Sequence, residues 1–227
     1  MFESQEYAEL HNKIGLEIGG PTFRYAGILD LYKKVKTLDG VNFSSNTIWE
    51  GDIIEGQTFK FREGTLGYQY ICESIDLNKI ESNKYDFVLS CNSLEHTANP
   101  LKAVGEWLRV TKKGGLMLLI LPNKDSNFDH KRQVTKFSHL LYDYANNTGE
   151  DDLTHLGDEL LNHDLPMTPE CGNLEFFMHR SLKNFENRCL HHHVFDMESL
   201  RRIFKMFKIK IVKEDNIPSD FIILGRK

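Results

Sequence analysis

The sequence predicts an α/β fold in which a doubly wound, mostly parallel sheet ends in an antiparallel pair of strands. Short apolar runs alternate with helix-like stretches in the first half of the chain. The fully apolar run Leu116–Leu121 is typical of a strand buried on both faces. The 227 residues, 40% apolar and 27% charged, suffice for one core. We expect a single domain over residues 1–227, with an insertion at 123–195.

The strands before the insertion are predicted from apolar, β-prone runs that end at glycine, proline or polar turns. They are Ile14–Ile18, Val35–Leu38, Tyr68–Cys72, Tyr85–Ser90 and Leu116–Leu121. Helices are predicted over Ala26–Lys34 and Pro100–Val110, where apolar residues recur at helical spacing. Residues 41–67 have no steady periodicity, which indicates loops or short pieces around the sheet.

The C-terminal segment predicts one helix and two strands. Asp196 can cap a helix that begins near Met197, with apolar residues from Leu200 to Phe207 on one face. Phe207–Val212 alternates in polarity and Phe221–Gly225 is apolar. This pair is therefore expected to form the antiparallel end of the sheet.

Charge and cysteine content narrow the class of protein. A formal charge of -5 leaves no surplus of basic residues to neutralise a phosphate backbone, so nucleic acid is a poor candidate partner. The four cysteines include no CxxC pair. The amino terminus lacks the order of a signal peptide, and the longest apolar run is too short to span a bilayer. We expect a cytoplasmic protein without a membrane partner, as a monomer or homodimer.

Polar residues follow the first three predicted strands. Residues Leu16–Thr22 read LEIGGPT, where Glu17 can bond a ligand and Gly19 and Gly20 let the backbone approach it closely. Asp39 lies 20 positions after Gly19, at the predicted end of the second strand, where an acid can accept ribose hydroxyls. Asp76 and Leu77 follow the third strand, where a carboxylate can take an adenine amino group. This pattern predicts a nucleoside cofactor.

The segment YDFVLSCNSLEHTANPLKAVGEWLRVTKKGGLMLLILP then runs from Tyr85 to Pro122. With the strand-end residues it resembles the class I, Rossmann-like S-adenosylmethionine-dependent methyltransferases, especially their type 11 branch, over residues 14–122 and the last strand pair. The resemblance implies S-adenosylmethionine as cofactor. It places Glu17, Gly19 and Gly20 beside the aminoacyl part and ribose, Asp39 at the ribose, Asp76 and Leu77 at the adenine, and Asn92 at the methionine end.

The first loop departs from the commoner family form, which has glycine where this chain has Pro21 and Phe23. The GGPT pattern also differs from the GxGxxG dinucleotide fingerprint, and no phosphate-cradling loop follows it. The GGPT pattern and the lack of a phosphate-cradling loop favour a cofactor without pyrophosphate. S-adenosylmethionine is such a cofactor.

The predicted insertion contains eight of the ten histidines. Its segments FDHKR, DLTHL, NHDLP and RCLHHHVFD, within residues 128–196, resemble a group of bacterial methyltransferases found with surface-polysaccharide genes. That resemblance implies a small polar acceptor, such as a capsule sugar or a phosphoramidate precursor. The insertion is therefore the candidate acceptor site.

Methyl transfer to a hydroxyl requires a base, and a neutral histidine is suited to that role near pH 7. His192 and His193 are favoured on the strand-like HHHVF run, with His130 as a further candidate, whereas His96 is interpreted as a turn residue. An acidic or phosphorylated acceptor can be bound by arginine. The predicted substrate-binding residues are Arg132, His155, Arg180, Arg188 and His191.

Two other functions remain open from the sequence. A non-catalytic nucleoside-binding module would keep the sheet as a scaffold. A metal-dependent hydrolase or oxygenase would use His130, His155, His163 and the 191–193 triplet as ligands, but no HExxH or paired-cysteine spacing supports a metal, and none is predicted.

Overall fold

The computed structural model describes residues 6–22 and 30–227. Within them, eight strands form the main sheet in the order β5-β6-β2-β1-β7-β8-β10-β9. These strands are β1 Ile14–Ile18, β2 Thr37–Asn42, β5 Gly56–Arg62, β6 Thr65–Ile71, β7 Tyr85–Cys91, β8 Thr111–Pro122, β9 Lys210–Asn216 and β10 Asp220–Arg226. The two-residue strands β3 Asn46–Thr47 and β4 Gly51–Asp52 pair separately.

The centre of the sheet is parallel and both of its ends are antiparallel. Strands β6, β2, β1, β7 and β8 run parallel to their neighbours in this central part. At one end β8, β10 and β9 are antiparallel, and at the other end β5 is antiparallel to β6. The predicted Rossmann-like α/β fold with an antiparallel C-terminal pair is confirmed.

Each face of the sheet has its own hydrophobic cluster, because alternate side chains of a strand point to opposite faces. In β8, Met117 and Leu119 pack in one cluster while Leu118 and Ile120 pack in the other. The first cluster also contains apolar residues of α2, Pro100–Val110, and α7, Met197–Met206. The apolar run at 116–121 is therefore buried on both faces, as the sequence predicts.

Several element bounds differ from those predicted. The second strand begins and ends later than Val35–Leu38, and β5 lies in the region predicted as loops. The C-terminal strand predicted at Phe207–Val212 is β9, which begins three positions later. Only α1, Leu31–Lys34, represents the helix predicted from Ala26, because residues 23–29, including Phe23, lie outside the described part.

The insertion is mainly helical. It contains α3 Phe137–Asn146, α4 Leu156–Asn162, α5 Leu174–Leu182 and α6 Asn184–Asn187. Residues 191–196, predicted as strand-like, form neither helix nor strand and lead into α7. Asp196 caps α7 by accepting a hydrogen bond from the Ser199 amide at 2.7 Å, as predicted. Among the described residues, no helix combines the length and apolar character needed to cross a membrane.

Candidate active site

A cavity of about 730 Å³ lies where the central parallel strands end. Residues after β1, β2, β6 and β7 line one side of it, and residues of the insertion line the other. Strands β2 and β7 flank β1, so the cavity lies at the point where the order of a doubly wound sheet reverses. This is the usual ligand position in such sheets.

The loop after β1 brings backbone to the cavity. Gly19 and Gly20 have φ angles of 77° and 78°, and both line the cavity. A Cβ atom on Gly20 would lie 2.4 Å from Oε1 of Glu17. The loop therefore requires glycine for both its conformation and its close contact.

Glu17 supports this loop from below and is not among the cavity-lining residues. Its buried carboxylate accepts hydrogen bonds from the Tyr32 hydroxyl at 2.7 and 2.8 Å and from the Thr22 amide at 3.1 Å. Burial raises the pKa of Glu17 to about 8, although both hydrogen bonds act in the opposite direction. The structure thus places Glu17 beside the cavity as a buried support.

The position predicted for Asp39 is wrong, because β2 continues three residues beyond it to Asn42. The Asp39 carboxylate accepts hydrogen bonds from the Tyr85 hydroxyl at 2.7 Å and the Tyr68 amide at 2.8 Å. Asn42 occupies the strand end instead, lines the cavity and donates to the Gly20 carbonyl at 3.1 Å. The residue that ends β2 at the cavity is therefore Asn42.

The residues predicted to flank an adenine also lie away from the cavity lining. Asp76 is exposed, and Leu77 is fully buried in a core cluster. The cavity is lined at this strand end by Cys72, Glu73 and Ser74, which directly follow β6.

The turn after β7 contributes polar atoms that have no hydrogen-bond partner within the described part of the chain. Asn92, with φ 48°, lines the cavity, and its Oδ1 atom is buried and unpaired. Both carboxylate oxygens of Glu95 and Nδ1 of His96 are likewise buried and unpaired. Burial raises the pKa of Glu95 to about 7 and holds the pKa of His96 well below its usual value. These groups are suited to meet a ligand.

The insertion brings charged groups of both signs to the other side of the cavity, the acids Glu150, Glu159 and Glu170 and the basic Arg180, Arg188 and His191. Burial alone would lower the pKa of His191, but the Asp129 carboxylate 2.5 Å away raises it to about 9. Arg188 lines the cavity and donates to Glu73 at 2.6 Å. Arg180 also lines it, and its buried Nε atom has no partner among the described residues.

The three predicted catalytic histidines are not in the cavity lining. His192 and His193 are fully buried, and their rings pack against His139 and His155 of the insertion. Burial lowers the pKa of His192 to about 3 and that of His193 well below its usual value. His130 is bonded to Asp164 at 2.7 Å. The structure therefore does not bring His192 or His193, expected to project toward the cofactor, to the cavity.

Two of the five predicted substrate-binding residues are also placed elsewhere. Arg132 is buried and bonded to Asp129, Asp158 and Glu159 at 3.1, 2.7 and 2.6 Å. His155 lies 3.0 Å from His139 through their Nε2 atoms. Neither residue is in the cavity lining, so both belong to contacts within the insertion.

Sequence reasoning missed Asn42 and Glu95 and discounted His96. The signal for Glu95 and His96 is that LEH follows the buried strand Tyr85–Cys91 after only two residues, which predicts a position at the carboxyl edge of the sheet. Glu95 is buried without a partner, and this property depends on the packing of the insertion over it.

A glycine-lined cavity at the switch point of this sheet is typical of Rossmann-like proteins that bind a nucleoside cofactor. Residues 16–119 match the model of a family described as a methyltransferase domain. A comparison with curated protein sequences gives no significant match.

Solved S-adenosylmethionine-dependent methyltransferases share the fold. One from Mesorhizobium loti superposes with a TM-score of 0.52 at 9% identity, over 96% of this chain and 93% of that one. One from Methanosarcina mazei gives 0.50 at 15% identity, over 96% and 93%. One from Thermotoga maritima gives 0.50 at 14% identity, over 98% and 88%.

The domain match and the fold together support an S-adenosylmethionine-dependent methyltransferase with S-adenosylmethionine as its cofactor. They do not favour a non-catalytic nucleoside-binding module or a metal-dependent hydrolase. The residues at the strand ends fit the donor, since Gly19 and Gly20 line the cavity and Asn92 offers a buried, unpaired oxygen.

Proposed function

We propose that this enzyme methylates a hydroxyl group of a small, polar, anionic acceptor, such as a phosphorylated sugar or a capsule phosphoramidate precursor of bacterial surface polysaccharide. The observation that carries the proposal is the shared cavity, with glycine-rich strand ends on one side and positively charged residues of the insertion on the other. Its volume of about 730 Å³ is within the usual range for a site that holds a small ligand.

The donor is proposed to bind along the strand ends. Gly19 and Gly20 face its aminoacyl part and ribose, Asn42 its ribose hydroxyls, and Asn92 its methionine end. Glu17 keeps the loop in shape through Tyr32 and Thr22. When bound, S-adenosylmethionine supplies a methyl carbon activated by a sulfonium, so the protein mainly has to align the reacting atoms.

The charge balance of the insertion supports an anionic acceptor. Burial raises the pKa values of Glu95 and Glu150 to about 7, so both carry only part of a negative charge near neutral pH. His191, by contrast, stays protonated beside Asp129. Glu159, another acid of the lining, is already bonded to Arg132, and Glu170, the third acid that the insertion adds to the lining, is exposed to solvent. Arg180 and His191 are therefore the groups proposed to bind the anion, because guanidinium and imidazolium both donate to phosphate.

Glu95 is the proposed proton acceptor. Its carboxylate takes the hydroxyl proton while the oxygen–carbon bond forms and the carbon–sulfur bond breaks. Burial gives it a pKa near 7, which matches the pH at which a general base is most effective. Its oxygens have no other partner in the described structure, so they are available to the acceptor.

The test has two arms. S-adenosylhomocysteine is expected to raise the melting temperature by mass action, whereas NAD is not. Transfer of labelled methyl from S-adenosylmethionine is then measured on matched pairs of sugar phosphates, phosphoramidates and their uncharged parent sugars. Preferential labelling of the charged members supports the proposal. Labelling of uncharged sugars or amines alone, or binding without turnover on any acceptor, contradicts it.

A further inference from the structure

Apart from the cavity, the insertion holds a cluster of three histidines and one aspartate, defined here as the 139/143/155/193 cluster. His139, Asp143, His155 and His193 each offer one potential ligand atom, and these four atoms lie within 4.8 Å of one another. They come from three separate segments of the insertion: α3, the turn before α4, and the irregular run before α7. Long-range packing therefore brings four metal-binding side chains to one point.

The spacing within the cluster resembles that of a tetrahedral metal site. His139 Nε2 lies 3.0 Å from His155 Nε2 and 3.3 Å from Asp143 Oδ2, and His193 Nε2 lies 3.7 Å from Asp143 Oδ2. Metal–ligand bonds of about 2.0–2.1 Å in a tetrahedron put neighbouring ligand atoms about 3.3 Å apart. His139 and Asp143 are also one helical turn apart, which directs both toward the same point.

A second observation is that the polar atoms of the cluster are not all hydrogen-bonded. Asp143 is buried, and its Oδ2 atom has no hydrogen-bond partner within the described residues, although it faces two imidazoles. The Nε2 atom of fully buried His193 is bonded to the Ala98 carbonyl at 3.2 Å, a contact that the imidazole would give up on binding the ion. A buried carboxylate oxygen without a partner costs free energy, and a bound cation removes that cost.

We propose that the 139/143/155/193 cluster binds a divalent transition metal ion, with zinc as the best match to three imidazoles and one carboxylate. Four protein ligands fill a tetrahedral shell, so the site is structural and leaves no position for substrate. It joins α3 and the 152–155 turn to the run that brings His191 to the cavity. Asn99 Nδ2 donates to the Asp143 carbonyl at 2.9 Å, and His193 N donates to the Glu95 carbonyl at 3.2 Å, so the ion would fix the insertion against the LEH turn.

The other acidic and histidine groups in the described chain suit a cation less well. In the group Glu95, His96 and His191, the imidazole of His191 is already paired with the Asp129 carboxylate at 2.5 Å. In the group Asp129, Glu159 and His163, both carboxylates already accept hydrogen bonds from the guanidinium of Arg132. The group Asp152, His155 and His192 shares His155 and has one ligand fewer.

The test measures zinc bound to the full chain after treatment with a chelator and titration with zinc alone. Wild-type protein is expected to bind one equivalent and to gain melting temperature on binding. His139→Ala and Asp143→Asn should each weaken zinc binding by more than the roughly 10–100-fold that loss of an outer-shell partner causes. His139 is 37% exposed, so His139→Ala is expected to fold without metal.

Two controls make the result decisive. His179→Ala removes an exposed histidine outside all four groups and should leave binding unchanged, and Asp152→Asn tests the group that shares His155. Cobalt in place of zinc should give the strong visible absorption of tetrahedral coordination, which His139→Ala abolishes. No bound zinc in the folded wild type, full binding by His139→Ala, or loss in Asp152→Asn but not in Asp143→Asn would each overturn the proposal.

Discussion

At the level of single residues, the end of β2 at the cavity is occupied by Asn42 rather than Asp39. The carboxylate of Asp39 is bonded to Tyr68 and Tyr85, while Asn42 lines the cavity. We expect Asn42→Ala to weaken S-adenosylhomocysteine binding about tenfold or more, equivalent to a hydrogen bond of about 1.4 kcal/mol. Asp39→Asn should change the affinity less than threefold, because a residue outside the cavity lining is expected to alter the binding free energy by no more than roughly 0.6 kcal/mol. Titration calorimetry on both variants measures this.

A loss of affinity in Asp39→Asn larger than that in Asn42→Ala would show that the carboxylate reaches the donor after all. Asp76→Asn is a matched control for the loss of an acid, because Asp76 is exposed and outside the cavity lining. Circular dichroism should confirm that all three variants are folded.

Glu95 determines the expected pH dependence of turnover. Only the ionised carboxylate accepts a proton, and the pKa of Glu95 is about 7, so kcat should rise with pH and level off above pH 7 to 8. Glu95→Gln should lower kcat by roughly 10²–10⁴-fold and abolish this rise, as is usual for loss of a general base. Donor affinity should remain close to that of the wild type.

The matched control is Glu175→Gln, which changes an exposed residue on α5. A Glu95→Gln enzyme that kept its turnover and its pH profile would show that another group, such as His96, takes the proton, or that the acceptor reacts through a lone pair.

At the level of elements, the loop after β1 depends on close contact as well as on conformation. Gly20 and Gly64 have similar φ angles of 78° and 70°, but a Cβ atom on Gly20 meets Glu17 while one on Gly64 has nothing within 4 Å. Gly64→Ala should therefore cost only the left-handed conformation, about 1–2 kcal/mol. Gly20→Ala should cost more and should also abolish the melting-temperature gain with S-adenosylhomocysteine.

Denaturant unfolding with and without S-adenosylhomocysteine separates the two effects. Equal destabilisation of the two variants, with donor binding retained in both, would contradict the role given to the contact between Gly20 and Glu17.

The elements also show what the sequence predicts well. Strand β1 and helix α2 have the predicted bounds, because an apolar run or a helical apolar face is interrupted at both ends by polar residues, glycine or proline. The end of β2 was missed because Gly40 and Asn42 break its apolar pattern. Strand β5 was missed although Phe59 and Phe61 alternate with exposed residues, since it lies among glycines and polar turns.

At the level of the whole molecule, the site depends on contacts that local patterns do not encode. Arg132 binds Glu159, which is 27 positions away, and His191 binds Asp129, which is 62 positions away. The histidine-rich composition predicted a polar insertion, but the choice of histidine facing the cavity depends on these pairings. His191 reaches the cavity while its neighbours His192 and His193 are buried behind it.

The buried ionisable groups also make the stability of the whole molecule depend on pH in the alkaline range. The pKa of Glu17 is about 8 in the folded protein against 4.5 for an ordinary glutamate, and that of His191 is about 9 against 6.5. From pH 7 to 9 the folded state therefore holds protons that the unfolded state has lost, so stability falls as pH rises. Each group contributes at most about 1.4 kcal/mol per pH unit within its window.

Glu17→Gln tests this origin, because glutamine carries no proton to lose. We expect the free energy of unfolding of the wild type, measured with urea at pH 7, 8 and 9, to decline more steeply than that of Glu17→Gln. The difference should be concentrated between pH 7 and 8, where the folded protein still holds the Glu17 proton, and should fade above pH 8, as Glu17 becomes ionised in the folded protein as well. Parallel curves for the two proteins would mean that Glu17 is ionised in the folded state at neutral pH, and that the loop after β1 rests on a charged carboxylate.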